Sequence, residues 1–157
     1  MMQRRYAAIL LGFLLILAAS ALFVPKTSRE TLAETVWAHT HLAPLATMLA
    51  PRDAALRFTI GNYYFGNGAY DLQKAHDAYQ GALVLDPEMV GPHYQLARID
   101  FIRSDFFFAL KEINTEIELH PDFKRSYYVR GLINGYSGKL KDAESDFTTF
   151  LAWKPDS

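Results

Sequence analysis

The hydrophobic pattern divides the chain into three stretches. Residues 6–24 form an unbroken run of 19 uncharged, mostly apolar residues, stopped by Pro25 and Lys26. As a helix this run would span roughly 28 Å, close to the hydrocarbon thickness of a bilayer. None of its residues carries the penalty of about 2.5–3.5 kcal/mol that a charge meets at mid-bilayer. The pattern therefore predicts a transmembrane helix over 1–25. Between 26 and 52 the spacing turns amphipathic, with Leu32, Val36 and His39 on one helical face. "TSRE" (27–30) and "TLAE" (31–34) both match the capping box of a helix start. Pro44 breaks or restarts that helix, leaving a short piece around Leu45–Leu49 before Pro51.

From 53 onward small and large residues recur in register. "LVLDPE" (83–88) returns as "IELHPD" (117–122) and "LAWKPD" (151–156), with Pro87, Pro121 and Pro155 separated by 34 residues each time. Upstream of each proline stand a small residue (Ala75, Ala109, Ala143) and, four later, a large one (Tyr79, Ile113, Phe147). Earlier still come Gly61, Ala97 and Gly131. The small positions mark where two helices approach closely, the large ones fill the space between successive pairs, and each proline closes a helix.

This arrangement resembles the tetratricopeptide repeat, whose 34-residue unit carries W-x₂-L-G-x₂-Y, then A-x₃-F, then P. The likeness covers residues 54–155. It implies an all-α solenoid of helical hairpins: three repeats (53–87, 88–121 and 122–157), six helices, preceded by the transmembrane helix and a juxtamembrane helical linker over 26–52. The first unit is two residues longer than the others, with a looser turn at "GNGAYD" (66–71), and Arg57, His93 and Tyr127 stand where the family's tryptophan belongs.

Composition narrows the chemistry. There is no cysteine, so disulfides, thiolate catalysis and cysteine-based zinc sites are excluded. Without Arg4 and Arg5 the basic residues number 14 against 17 acids, a net −3 over 25–157, which gives no case for nucleic acid. His39 and His41 point to different faces of a helix and have no third ligand nearby, so no metal site is expected, nor any cofactor. "GNG" (66–68) lacks a preceding strand, and "GYSGKL" (135–140) fails the P-loop pattern. Glu112, Glu116, Asp142 and Glu144 read as a solvated surface. With no convergent acid, base and nucleophile, the chain is not expected to be an enzyme.

The resemblance implies a binding module whose concave groove is lined by the first helix of each pair. Carried over residue by residue, the groove positions are Phe58, Asn62 and Phe65; then Tyr94, Gln95, Arg98 and Phe101; then Arg125, Tyr128, Val129 and Leu132. Their aromatic and apolar character with a few polar donors suits a peptide or helix of a partner protein. The family subgroup that clamps acidic chaperone tails needs a Lys/Asn, Asn, Lys/Arg set. Phe58, Asn62, Gln95, Arg125 and Val129 occupy those places, so that clamp is not expected. Phe107 and Phe108 fall where solvated residues usually stand and, with Phe150 and Trp153, form a candidate exposed contact patch. Self-association through an uncapped C-terminal face is a further expectation.

Arg4 and Arg5 ahead of the apolar run favour a cytoplasmic N-terminus, hence a single-pass membrane protein with extracytoplasmic repeats. Cleavage at the small residues of "AASA" (18–21) would instead give a secreted or periplasmic chain. The functional expectation is a membrane-tethered, non-catalytic scaffold. Its alternative is the front part of a larger repeat protein or membrane-associated enzyme whose active domain lies beyond residue 157.

Overall fold

The computed structural model describes residues 25–67 and 70–153, which form eight α-helices, one π-helical turn and no strand. The chain divides into two compact units, one up to Leu56 and one from Arg57.

In the first unit, α1 (Lys26–Thr40) and α2 (Ala43–Leu49) pack together. Neither capping box is used as one. Pro25 precedes the first turn, and the Thr31 and Thr35 hydroxyls donate back to the Thr27 and Thr31 carbonyls from inside the helix. The buried face of α1 carries Ala33 and Trp37, one position on from the expected Leu32 and Val36, and Leu32 is exposed. The small Ala33 side chain permits close approach, and the Trp37 ring supplies the apolar area. α1 ends where His41 turns left-handed, and Pro44 sits in the first turn of α2, where its missing N–H costs nothing. Asp53 Oδ1 then accepts the Leu56 N–H to start the next helix.

The membrane placement expected from the sequence is corrected by these helices. Among the described residues no helix is long and apolar enough to cross a membrane. The longest, α1, has 15 residues, only about 22 Å of helix, and it carries Lys26, Arg29, Glu30 and Glu34. Residues 6–24, on which the span was read, lie outside the described residues.

The second unit is built from helical hairpins. α3 (Ala54–Asn62) runs into a π-helical turn (Tyr63–Asn67) and is followed by α4 (Leu72–Leu85). The pairs α5 (Pro92–Ile102) with α6 (Phe106–Leu119) and α7 (Arg125–Tyr136) with α8 (Leu140–Leu151) come next. The wide π turn, with the Asp71 N–H reaching back to the Tyr64 carbonyl, lies where the first unit is longer than the other two. α4 stops at Leu85 and α6 at Leu119, each two residues before the recurrent proline; Pro155 lies outside the described residues.

The small positions do what their spacing implies. A Cβ on Gly61 would lie 2.5 Å from the Tyr79 ring, and one on Gly131 2.7 Å from the Phe147 ring. Tyr79 is fully buried and its hydroxyl is tied to Asn62, so it has no room to retreat, whereas Phe147 is only half-buried. Overpacking of about 1–3 kcal/mol therefore exceeds the helix-propensity gain of about 1 kcal/mol for alanine at Gly61. Gly61→Ala is expected to lower unfolding free energy by about 1–2 kcal/mol and Gly131→Ala by less. Urea midpoints would check this, and equal effects would contradict the assigned difference in confinement.

Two acids read as solvated are not. Glu116 is fully buried, its carboxylate accepting the Gly91 and Tyr94 N–H groups at the start of α5. Glu112 meets His93 at 2.6 Å. Both lie on the inner face of α6, where helical spacing from Ala109 and Ile113 carries them; Asp142 and Glu144 are exposed as expected. On α5, burial pushes the Asp100 carboxyl above the usual carboxylate range, with His76 and Arg103 offsetting and Glu112 and Asp105 reinforcing. A carboxyl raised on folding binds its proton more tightly in the folded state, so its destabilising charge is present above the raised pKa and vanishes below it. Asp100→Asn should stabilise the protein at neutral pH, the gain fading as pH falls into the acidic range. A gain that instead grew on acidification would show the sign to be wrong.

Candidate functional site

α3 with its π turn, α5 and α7 contribute the first helices of successive hairpins, and their exposed sides line two adjoining hollows. One, of about 520 Å³, is bounded by Asn62, Phe65, Gly66, Tyr70, Gln95, Arg98 and Ile102. The other, of about 360 Å³, is bounded by Tyr94, Arg98, Phe101, Ile102, Tyr128, Val129 and Leu132. Arg98 and Ile102, four residues apart on α5 and hence on one face, belong to both, so the hollows adjoin along that face of α5 as a groove in two parts.

The floor is a chain of directed hydrogen bonds. Arg98 Nη1 donates to Gln95 Oε1 at 2.8 Å, and Gln95 Nε2 donates to Asn62 Oδ1 at 3.1 Å. The Tyr79 hydroxyl donates to the same Asn62 oxygen at 2.9 Å from the core. A guanidinium can only donate, so Arg98 fixes Gln95 with its oxygen toward the guanidinium and its amide nitrogen toward Asn62, which fixes Asn62 in turn. Burial pushes the Tyr79 phenol well above its ordinary range, so it remains a neutral donor. Arg98 itself lies over the Phe65 ring at 4.4 Å and near Tyr94 at 5.6 Å, a geometry that holds its planar head without neutralising it.

The apolar half of the groove is fixed from beneath. Phe101 packs edge-on to Tyr136 at 5.3 Å and against Phe106 at 5.9 Å. Val129 is almost fully buried in the core with Ala97, Ala109, Ile113 and Ile133, and presents only its rim to the hollow. Tyr128, 44 % exposed, leans on Phe147 and Phe150.

Of the positions carried over from the resemblance, Asn62, Phe65, Tyr94, Gln95, Arg98, Phe101, Tyr128, Val129 and Leu132 come together here. Phe58 does not: it packs on Tyr79 at 5.6 Å and against Gly91. Arg125 is exposed and lies outside both hollows. Ile102, Tyr70 and Gly66 were not read from the sequence. Ile102 could have been, as the residue one helical turn beyond Arg98; Tyr70 follows the π turn in a left-handed conformation that no sequence signal announces.

The remaining aromatic positions lie elsewhere. Phe107 and Phe108 are 76 % and 55 % exposed and touch each other edge-on at 5.3 Å. Phe150 and Trp153 meet at a tilt, centroids 6.2 Å apart, with Phe150 beside Tyr128. Because Phe107 and Phe108 are so exposed, replacing both with serine should change unfolding free energy by less than about 1 kcal/mol. A broad, strongly shifted thermal transition would show that they carry packing instead.

No family model matches the sequence, and no curated protein does. Solved structures match the fold. The crystal structure of MamA protein superposes with a TM-score of 0.67 at 20 % identity, covering 82 % of this chain and 72 % of that one. The second TPR of Spaghetti (RPAP3), bound to the HSP90 peptide SRMEEVD, gives 0.61 at 22 % identity, covering 67 % and 96 %. The first TPR of the same protein, bound to the same peptide, gives 0.60 at 25 % identity, covering 66 % and 81 %. The hairpin unit is thus a tetratricopeptide-like helical repeat in fold.

Proposed function

We propose that the protein acts by holding a segment of a partner protein in the groove between α3, α5 and α7, without catalysing a reaction. The observation that carries this is the pair of adjoining hollows itself: aromatic and apolar walls around a small set of fixed hydrogen-bond donors, which is how a surface recognises a peptide or helix. Two of the structurally similar repeats were solved with a peptide bound, which supports the same use of the fold. Triple replacement of Tyr94, Arg98 and Tyr128 by alanine removes one exposed and two half-buried side chains from the hollows and leaves the buried small positions intact. Affinity capture with the whole chain should lose its specific partner in the triple variant while circular dichroism and the thermal transition persist. Retention of that partner at full yield by a folded triple variant would move the binding surface elsewhere.

A further inference from the structure

We infer that the groove selects a segment carrying one carboxylate beside a large apolar side chain, the carboxylate seated on Arg98, Gln95 and Asn62; this rests on the groove reading above. The argument begins with polarity. Arg98 is the only charged residue among those described that line either hollow, and it forms no ion pair with any described carboxylate. Its hydrogen bond to Gln95 orients the whole floor in one sense: Gln95 Oε1 accepts from Arg98, and Asn62 Oδ1 accepts from both Gln95 and Tyr79. What remains is mostly donors: the free N–H groups of Arg98, the second N–H of Gln95 and the Asn62 amide nitrogen, against one open lone pair on Gln95 Oε1. An occupant that covered this floor with apolar atoms would strip water from a guanidinium and leave it uncompensated. An occupant that brought a lysine would add repulsion.

An acceptor with a single negative charge fits best. One planar guanidinium pairs with one carboxylate through parallel N–H donors, and charge-assisted bonds of this kind are about twice as strong as neutral ones. A doubly charged phosphate would call for a second cation, and none lines the hollows among the described residues. Arg98 and Ile102 border both hollows, so a carboxylate on the first floor places its neighbouring side chain toward Phe101, Tyr128 and Leu132. This is a one-carboxylate site with an aromatic wall, and it differs from a clamp built on several lysines.

The carboxylate could be an internal Asp or Glu or a chain terminus, and the experiment separates these. Random dodecapeptides are displayed in two libraries, one embedded internally and one with free C-termini, and panned on the whole immobilised chain. Enriched peptides are then synthesised with each acid replaced by its amide and, for terminal binders, with the terminus amidated. The expected result is enrichment of an acid close to an aromatic or leucine, with binding weakened about tenfold or more when that acid is neutralised. In the Arg98→Gln variant the original and neutralised peptides should bind about equally. Should that variant fail to fold, neutralising the peptide's acid still tests the site on the natural chain. Groove binders without an acid, lost on Tyr128→Ala yet indifferent to Arg98→Gln, would overturn the carboxylate site and leave the groove standing. Failure to enrich any peptide, or binders indifferent to both substitutions, would overturn the groove reading and this inference with it.

Discussion

Arg130→Ala is expected to lower unfolding free energy by about 3 kcal/mol, a large share of the roughly 5–15 kcal/mol that holds a domain together. Asp146 on α8 is only 4 % exposed. Arg130 on α7 meets it with Nη2 at 2.6 Å from Oδ1 and with Nε at 3.0 Å from Oδ2. Asn134 donates to Oδ2 at 3.1 Å, and Arg130 Nη1 reaches back to Asn114 on α6 at 3.1 Å, so one guanidinium joins three helices. Removing it leaves a buried carboxylate with a single neutral donor. The cost is that of an uncompensated buried charge rather than of one lost bond. Because the Arg130 side chain is 26 % exposed, water replaces part of the lost interaction, which puts the effect at the low end of the usual range. Asp146→Asn should be milder, since the arginine left behind can still turn toward solvent. The double replacement Arg130→Met with Asp146→Leu should recover much of the loss, because apolar side chains of similar size need no partners. Chemical denaturation of the four proteins measures this directly, and a loss under 1 kcal/mol in Arg130→Ala would show that the pair is already open to water.

Much of this architecture was legible because it depends on spacing. Pro87 and Pro121 follow helix ends, and Gly61, Ala97 and Gly131 sit where a side chain would collide or where helices meet, since close packing tolerates only certain sizes at those places. Most groove positions were legible for the same reason: a helix face repeats every three or four residues, so one assigned position fixes its neighbours. Membrane placement was not legible in this way. It rested on the apolar length of residues 6–24 and the Arg4–Arg5 pair ahead of them, and the described helices carry too much charge and too few residues to repeat that pattern. Burial of polar residues was missed where it depends on a particular partner. Glu116 and Glu112 look like the charged outer face of a helix until the N-terminus of α5 and His93 are seen facing them. Phe58 shows the converse, a groove position by register that Tyr79 and Gly91 draw into the packing. Pairing across elements is set by three-dimensional neighbours, and no local pattern encodes it.

Glu116→Ala is expected to cost about 3 kcal/mol, and the comparison with Glu116→Gln shows why. α5 begins after Gly91, whose φ of 104° is strained for any residue with a side chain, and Pro92 occupies the first helical position without an N–H of its own. The remaining free donors at that end include the Gly91 and Tyr94 N–H groups, and no side chain local to the turn caps them. Glu116 crosses from α6 to accept both, Oε1 at 2.9 Å and Oε2 at 3.1 Å, in a place without exposure to solvent. The carboxylate also meets the positive end of the helix, which favours an anion there. Hydrogen bonds to a charged group contribute about 1.5–3 kcal/mol each, and alanine would leave two buried donors unsatisfied. Glutamine keeps the shape but offers one oxygen, so its amide group must face one of the two N–H donors, donor against donor. It should therefore lose about half as much as alanine while keeping the packing. Since Tyr94 is both a capped residue and a wall of the groove, the same substitutions should slow partner binding even where the unit still folds. Urea midpoints for the two variants, with hydrogen exchange at the start of α5, distinguish the causes. Equal losses for Gln and Ala would mean that packing, not the paired N–H groups, makes Glu116 indispensable, and unchanged exchange at Tyr94 in Glu116→Ala would remove the cap from the account altogether.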